Sequence, residues 1–151
     1  MARTLKYEYV GLAELNGDLA KVIKDYPDIA FKTITQAGNA FRKDARNKTK
    51  SVTKTHTGNL SKGYRSKVSM NLTGSKTCKA EVSGGNNKAY HFHLLENGHD
   101  GYAGFGKNKY SIGFVPGKHM MKDTREKWDS TNKIEVYAVK VMNLVLKESG
   151  F

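Results

Sequence analysis

Histidine and glutamate are the residues of this chain whose types could do chemistry. His91 and His93 stand two apart, a spacing that on a strand turns both imidazoles to one side, and His99 and His119 follow. A zinc ion needs a full set of ligands, each oriented by a further hydrogen bond. No cluster of carboxylates or cysteines accompanies these histidines, so they are expected to pack beside aromatic rings or to face a partner, with no metal bound. Glu96 with a nearby histidine could form a general-base pair. No spacing picks out a nucleophile, an oxyanion hole or a paired acid and base, so no catalytic activity is expected. Gly101, Gly104, Gly106 and Lys107 have the composition of a phosphate cradle. They lack the strand–loop–helix setting and the closing Lys-Ser/Thr of one, so no cofactor is expected either. Trp128, Met120 and Met121 read as core rather than as a ligand box.

Charge is the third chemical signal. The chain of 151 residues carries a formal net charge of +12. Eleven of its basic residues lie between Arg42 and Lys79, against the single acid Asp44. A field of that sign attracts nucleic acid, anionic lipid or an acidic protein surface, and it equally suits a solvated face that keeps the protein soluble. Lys62, Arg65 and Lys67 could track a nucleic-acid backbone, although only Tyr64 among their neighbours offers a ring for stacking. A basic DNA- or RNA-binding protein, or a small nuclease using His, Lys and Glu, is therefore a competing reading. The lone cysteine, Cys78, excludes an internal disulfide and a thiolate metal site built from this chain alone, and fits a reducing compartment. No run of about 18 apolar residues exists to span a membrane, and the start Met1-Ala2-Arg3-Thr4 lacks the apolar region of a signal peptide.

The elements that must position these residues follow from periodicity. Residues 1–10 read as an arm or edge strand, and 11–50 as helices. Leu12, Leu15, Leu19, Val22 and Ile23 make one helical stripe. Pro27 opens a second helix, capped by Asp25, whose stripe of Ile34, Ala37, Gly38, Phe41 and Ala45 runs to about Lys48. Small residues at Ala37 and Gly38 permit close approach of a partner element. A polar connector, 50–56, leads to the switch at Thr57-Gly58-Asn59-Leu60, where helix is expected to give way directly to strand. Tyr64 to Leu72 and Cys78 to Val82 alternate as the two strands of an antiparallel hairpin. Ala89–Gly98 is a short helix or a third strand, completing a segment at 62–98. Residues 99–113 read as a glycine-rich loop holding Tyr102, Phe105 and Tyr110, and Phe114 to Gly117 as a last extended piece. A helix over 118–147 closes the chain, with an irregularity near Ser130-Thr131-Asn132. Its stripe is Met120, Met121, Thr124, Trp128, Val136, Val139, Met142, Val145 and Leu146. The sum is an α+β fold in a single domain over 1–151: a small antiparallel β-sheet packed against long N-terminal and C-terminal helices.

Three stretches occur together and in order. A helix rich in alanine and basic residues leads into Thr57-Gly58-Asn59-Leu60 and a strand. Next comes Tyr90 through Leu94-Leu95-Glu96-Asn97-Gly98-His99. Phe114-Val115-Pro116-Gly117-Lys118-His119-Met120 then opens the terminal helix. Over residues 11–147 the chain resembles the neck, or tail-completion, proteins of long-tailed bacteriophages and prophages, also called head–tail joining or minor tail components. The family pattern often has a proline and an acidic residue before Thr57, where this chain has Thr55-His56.

The resemblance implies a virion structural protein, not an enzyme, assembled in the bacterial host cytoplasm. It implies copies arranged in a ring between the head-completion proteins below the portal and the tail tube, close to the channel DNA. A tail terminator is a near variant. The glycine-aromatic segment would take its order from a neighbouring copy, through head-to-tail contacts. The Glu96-Asn97-Gly98 corner would be structural, its carboxylate accepting backbone N–H bonds from the Thr57-Gly58-Asn59 turn.

Overall fold

The computed structural model describes residues 20–53, 58–74, 76–86 and 89–149; the expected arm over 1–10, Leu12, Leu15 and Leu19 of the first stripe, and Thr57 lie outside them. Residues 20–25 are helical, as the first stripe predicts. Helix α1, Pro27–Val52, has its proline in the first turn, where a missing N–H costs nothing. Asp25 does not cap it: the N-cap position is Tyr26, with no side-chain hydrogen bond. The helix runs four residues beyond the expected Lys48, and the hydroxyls of Thr49 and Thr53 turn back onto the carbonyls of Ala45 and Thr49.

Gly58 adopts φ 68°, the left-handed conformation that glycine takes without a Cβ penalty. The chain does not pass straight into a strand there. It makes one more helical turn, α2 (Asn59–Lys62), and extends only from Arg65. The hairpin then forms as its alternation predicts. Strands β1 (Arg65–Asn71) and β2 (Thr77–Ser83) pair antiparallel, with Val68 opposite Ala80 and Met70 opposite Cys78. α1 lies across their inner face. It crosses at Gly38, where a Cβ would stand 2.9 Å from the Ala80 Cβ and 2.8 Å from the Ser66 hydroxyl.

The ambiguous stretch resolves as a short helix, α3 (Phe92–Asn97), followed at once by a strand. The segment read as a glycine-rich loop is instead a second antiparallel hairpin, β3 (Gly98–Ala103) with β4 (Tyr110–Pro116), joined by a 3-10 turn at Gly106–Asn108. Its glycines hid a period-two pattern in Tyr110, Ile112, Phe114 and Pro116. The fold is α+β, with its strands divided between two two-stranded sheets rather than joined in one. The expected irregularity is a full break: α4 (Met120–Ser130) ends, Asn132 takes φ 49°, and a separate helix, α5 (Lys133–Glu148), begins.

The core gathers Ala45 from α1, Leu60 from α2, Tyr64 before β1, Ala89, Phe92 from α3 and Met120 from α4. Tyr64 is nearly sealed from water and meets Phe92 edge-on at 5.3 Å, and its hydroxyl shares a 2.6 Å hydrogen bond with Thr49. Burial, partly offset by that bond, pushes the Tyr64 phenol above its ordinary range, and the charge of Glu96 adds to the rise. α4 and α5 both pack on α1, which is thus the element shared by the first sheet and the C-terminal helices.

Candidate functional site

The three stretches that carry the resemblance meet in one place. Leu60, Phe92 and Met120, one from each, are neighbours in the core. Above them the chain on either side of the second hairpin is stitched together. The Lys118 N–H donates to the Leu95 carbonyl at 2.6 Å and the His119 N–H to that of Glu96 at 3.3 Å. Gly98 and Pro116 are the first pair of the hairpin. Gly117 lies so close to the opposite backbone that a Cβ on it would stand 2.7 Å from the Asn97 carbonyl carbon and 2.8 Å from the Gly98 nitrogen. Glu96, Gly98, Pro116 and Gly117 are therefore brought together as the footing of the β3–β4 hairpin.

Glu96 is the polar centre of that footing, with partners other than those expected from the sequence. Its carboxylate accepts from the Met121 N–H on both oxygens, at 3.0 and 3.1 Å, and from the Lys122 N–H at 3.1 Å. It thus caps the first turn of α4 rather than the Gly58-Asn59 turn. The N-cap residue of α4, His119, makes no side-chain cap bond. A carboxylate reaching in from 25 residues upstream supplies the acceptor and the negative charge that the helix start favours. Only the folded chain brings the two within reach.

Beyond the footing the hairpin stands as an arm. Each strand extends about 20 Å, and within the subunit its main neighbour is α3 at its base. Every residue of β4 is exposed. Register places Tyr102 and Phe114 on one face and Tyr110 and Val115 on the other, with Phe105 at the tip. Tyr102, Phe105, Tyr110 and Phe114 are 61, 95, 63 and 64% exposed; at about 200 Å² per aromatic side chain this leaves about 570 Å² of ring surface in water. The rings are divided between the two faces: about 250 Å² from Tyr102 and Phe114 on one, about 130 Å² from Tyr110 on the other, and about 190 Å² from Phe105 at the tip. Tyr102, Phe105 and Tyr110 were legible in the sequence as contact candidates, whereas Ile112 and Phe114 were missed. The alternation of large residues at Tyr110, Ile112 and Phe114 signals a strand, but the bulge opposite Gly101 and Tyr102 puts Tyr110 and Phe114 on opposite faces.

The basic candidates lie elsewhere. Lys62 ends α2, and Arg65 and Lys67 point outward from β1, opposite Ser83 and Glu81, on the polar face turned away from α1. Lys79 shares that face and bonds Glu81 at 2.7 Å, which with the charges of Lys79 and Lys67 holds the Glu81 carboxyl below its usual range. His91 and His93 sit at the start of α3, both exposed, rather than on a strand. Among the described residues no group of three or more His, Cys, Asp or Glu is gathered as a metal would require. Gly101, Gly104, Gly106 and Lys107 belong to the arm and its tip, not to a loop feeding a helix.

A polar tie fastens α1 to the C-terminal helices. Asp44 accepts from Trp128 Nε1 at 2.8 Å and from Lys133 Nζ at 2.7 Å, and Trp128 stacks on Tyr137. Partial burial works to raise the Asp44 pKa, but the bonds from Lys133 and Trp128 and the charges of Lys133 and Lys127 outweigh it and hold the carboxyl below its ordinary value. Among the described residues no helix is long and apolar enough to cross a membrane.

The structure thus joins a core locked by three separated motifs to an exposed, braced apolar arm. Residues 13–98 match the family model HK97-gp10_like, "Bacteriophage HK97-gp10, putative tail-component", and the chain belongs to that family. It is a structural component of the phage tail or neck, a virion protein that meets other tail or head proteins. Comparison with curated proteins and with solved structures gave no match.

Proposed function

We propose that this chain is a ring-forming subunit of the phage neck, joining the head-completion side below the portal to the end of the tail tube, and that its part there is structural and not catalytic. The observation that carries this reading is the β3–β4 arm. An isolated two-stranded hairpin is marginal in water, and this one turns about 570 Å² of aromatic surface outward over its two faces and tip, with no cover from the other described residues. A standard protein interface takes about 800 Å² from each partner, so one face of the arm with its tip, about 320–440 Å² of ring surface, supplies up to half of one side. The footing supports the same reading: Glu96, Gly98, Pro116 and Gly117 fix the arm's exit angle, as a part that must meet a neighbour in one orientation requires. Both Glu96 oxygens are occupied by backbone donors, which favours a structural role over proton transfer. The outward basic face of β1 fits an acidic neighbouring protein; a strongly cationic channel wall would retard DNA transit.

The test is electron microscopy of purified virions made with and without the protein. The expected result is a ring at the head–tail junction in complete particles, and unjoined heads and tails when the protein is missing. A ring seated on the last tail-tube layer and touching no head-completion protein would make it a tail terminator. Absence from mature infectious particles, or submicromolar duplex binding with a steep salt dependence by a chain that never forms rings, would overturn the reading.

A further inference from the structure

The C-terminal helix has two apolar sides, and its own subunit uses one. Val141 of α5 is buried against α1, with Tyr137 and Val145 half-buried one turn to either side. Val136, Val139, Met142 and Leu146, spaced three and four apart on the opposite side, are exposed. These are the residues that the sequence assigned to the core stripe. An exposed run of four large apolar side chains along one helix face is the kind of surface a partner covers. Two apolar surfaces of different shape thus have no cover among the described residues: a protruding aromatic arm and a helical stripe.

We propose that the distal half of the arm on one copy, led by Phe105 and Tyr110, seats on the Val136–Val139–Met142–Leu146 stripe of α5 on the next copy. This rests on the ring reading and gives it a contact. A head-to-tail interface needs two unlike patches on each subunit, one offered and one received, and these are such a pair. Charge selects the same match. Copies carrying +12 each repel at long range, so a self-contact must set opposite charges together locally. Among the described residues Lys107 and Lys109, which flank the arm tip, have no ion-pair partner, and neither has Glu135, one turn before Val139 on the stripe side of α5. The joint is a ring-lined tip laid along a Val/Met/Leu ridge, with Lys109 facing Glu135.

Two full-length variants test it, both altered only at exposed positions, so that circular dichroism and thermal melts match the wild type. One breaks the arm (Phe105→Asp with Tyr110→Thr); the other breaks the stripe (Val139→Lys with Leu146→Gln). By analytical ultracentrifugation each variant alone is expected to stay monomeric at concentrations where the wild type assembles. A mixture is expected to give a one-to-one pair and nothing larger, because the arm variant still offers a stripe and the stripe variant still offers an arm. Phe105→Ala alone should weaken assembly about 30-fold, as loss of a buried interface aromatic does. Lys109→Glu should weaken it and Glu135→Lys in the same chain should restore it. Self-association of the arm variant, self-association of the stripe variant, a mixture that yields no pair, or a wild type monomeric at every concentration would each overturn the proposal. Closed rings formed by both variants would leave the ring reading standing and sink this contact. Open filaments of the wild type with complementing variants would do the reverse.

Discussion

Removing the charge of Glu96 while keeping its shape tests whether a residue far away in sequence sets the start of α4 and the footing of the arm. In the wild type the two oxygens accept three contacts from the Met121 and Lys122 N–H groups at 3.0 to 3.1 Å. Glu96→Gln leaves one oxygen able to accept and turns an amide N–H2 toward backbone donors. The loss of one capping acceptor is worth about 1 kcal/mol. Loss of a negative charge at a half-buried helix start adds about 0.3–1 kcal/mol. The total is about 1.5–2 kcal/mol, and for a domain of this size that lowers Tm by about 3–8 °C. Glu96→Ala, which deletes both acceptors, should cost about 1 kcal/mol more. The melt should be read together with hydrogen exchange at the Lys118 and His119 amides, which bond the carbonyls of Leu95 and Glu96. Faster exchange there locates the damage at the footing. A Glu96→Gln protein melting within about 1 °C of the wild type, with those amides unchanged, would refute the capping argument.

Gly38→Ala is expected to destabilise the protein by about 1–2 kcal/mol in denaturant titration, because the clash with the fixed Ala80 Cβ at 2.9 Å outweighs the gain in helix propensity. Asp44→Asn should cost about 1 kcal/mol at neutral pH, through the partly screened Lys133 bond. The Asp44 pKa is lowered in the folded state, so its contribution is complete above the unfolded value near 3.9 and fades as pH falls through the folded one. The stability gap between wild type and Asp44→Asn should therefore close below about pH 4, and a gap constant with pH would count against the ion pair. Gly98→Ala places a side chain at φ 86°, against Phe114 and the Val115 carbonyl, and should unzip the arm, seen as lost cross-strand contacts in NMR spectra. Phe105→Ala, by contrast, should leave the monomer's melting point unchanged, since its ring touches water and not the core.

Much of the local structure was legible in the residues. The helix opened by Pro27, the β1–β2 hairpin, the close approach at Gly38 and the break near Asn132 each follow from a spacing or a backbone preference that acts over a few positions. The structure sets Glu96, Gly98, Pro116 and Gly117 together at the footing of the arm and leaves Tyr102, Phe105 and Tyr110 exposed on it. The arm was misread because glycines at 101, 104, 106 and 113 lower strand propensity residue by residue, while pairing between β3 and β4 is a property of two strands at once.

What the sequence determined alone is the inventory: which segments spiral, which extend, and which side chains are apolar at which period. What the tertiary structure decided is which apolar side finds a partner. Val141 and Val139 belong to one helix and are alike in type, yet α1 covers the first and leaves the second in water. Glu96 reaches α4 only because the arm folds back on itself and returns Met121 to it across 25 residues. Periodicity records that a surface must be buried; the packing of the whole chain fixes against what, because contacts between distant segments depend on geometry that no local window contains.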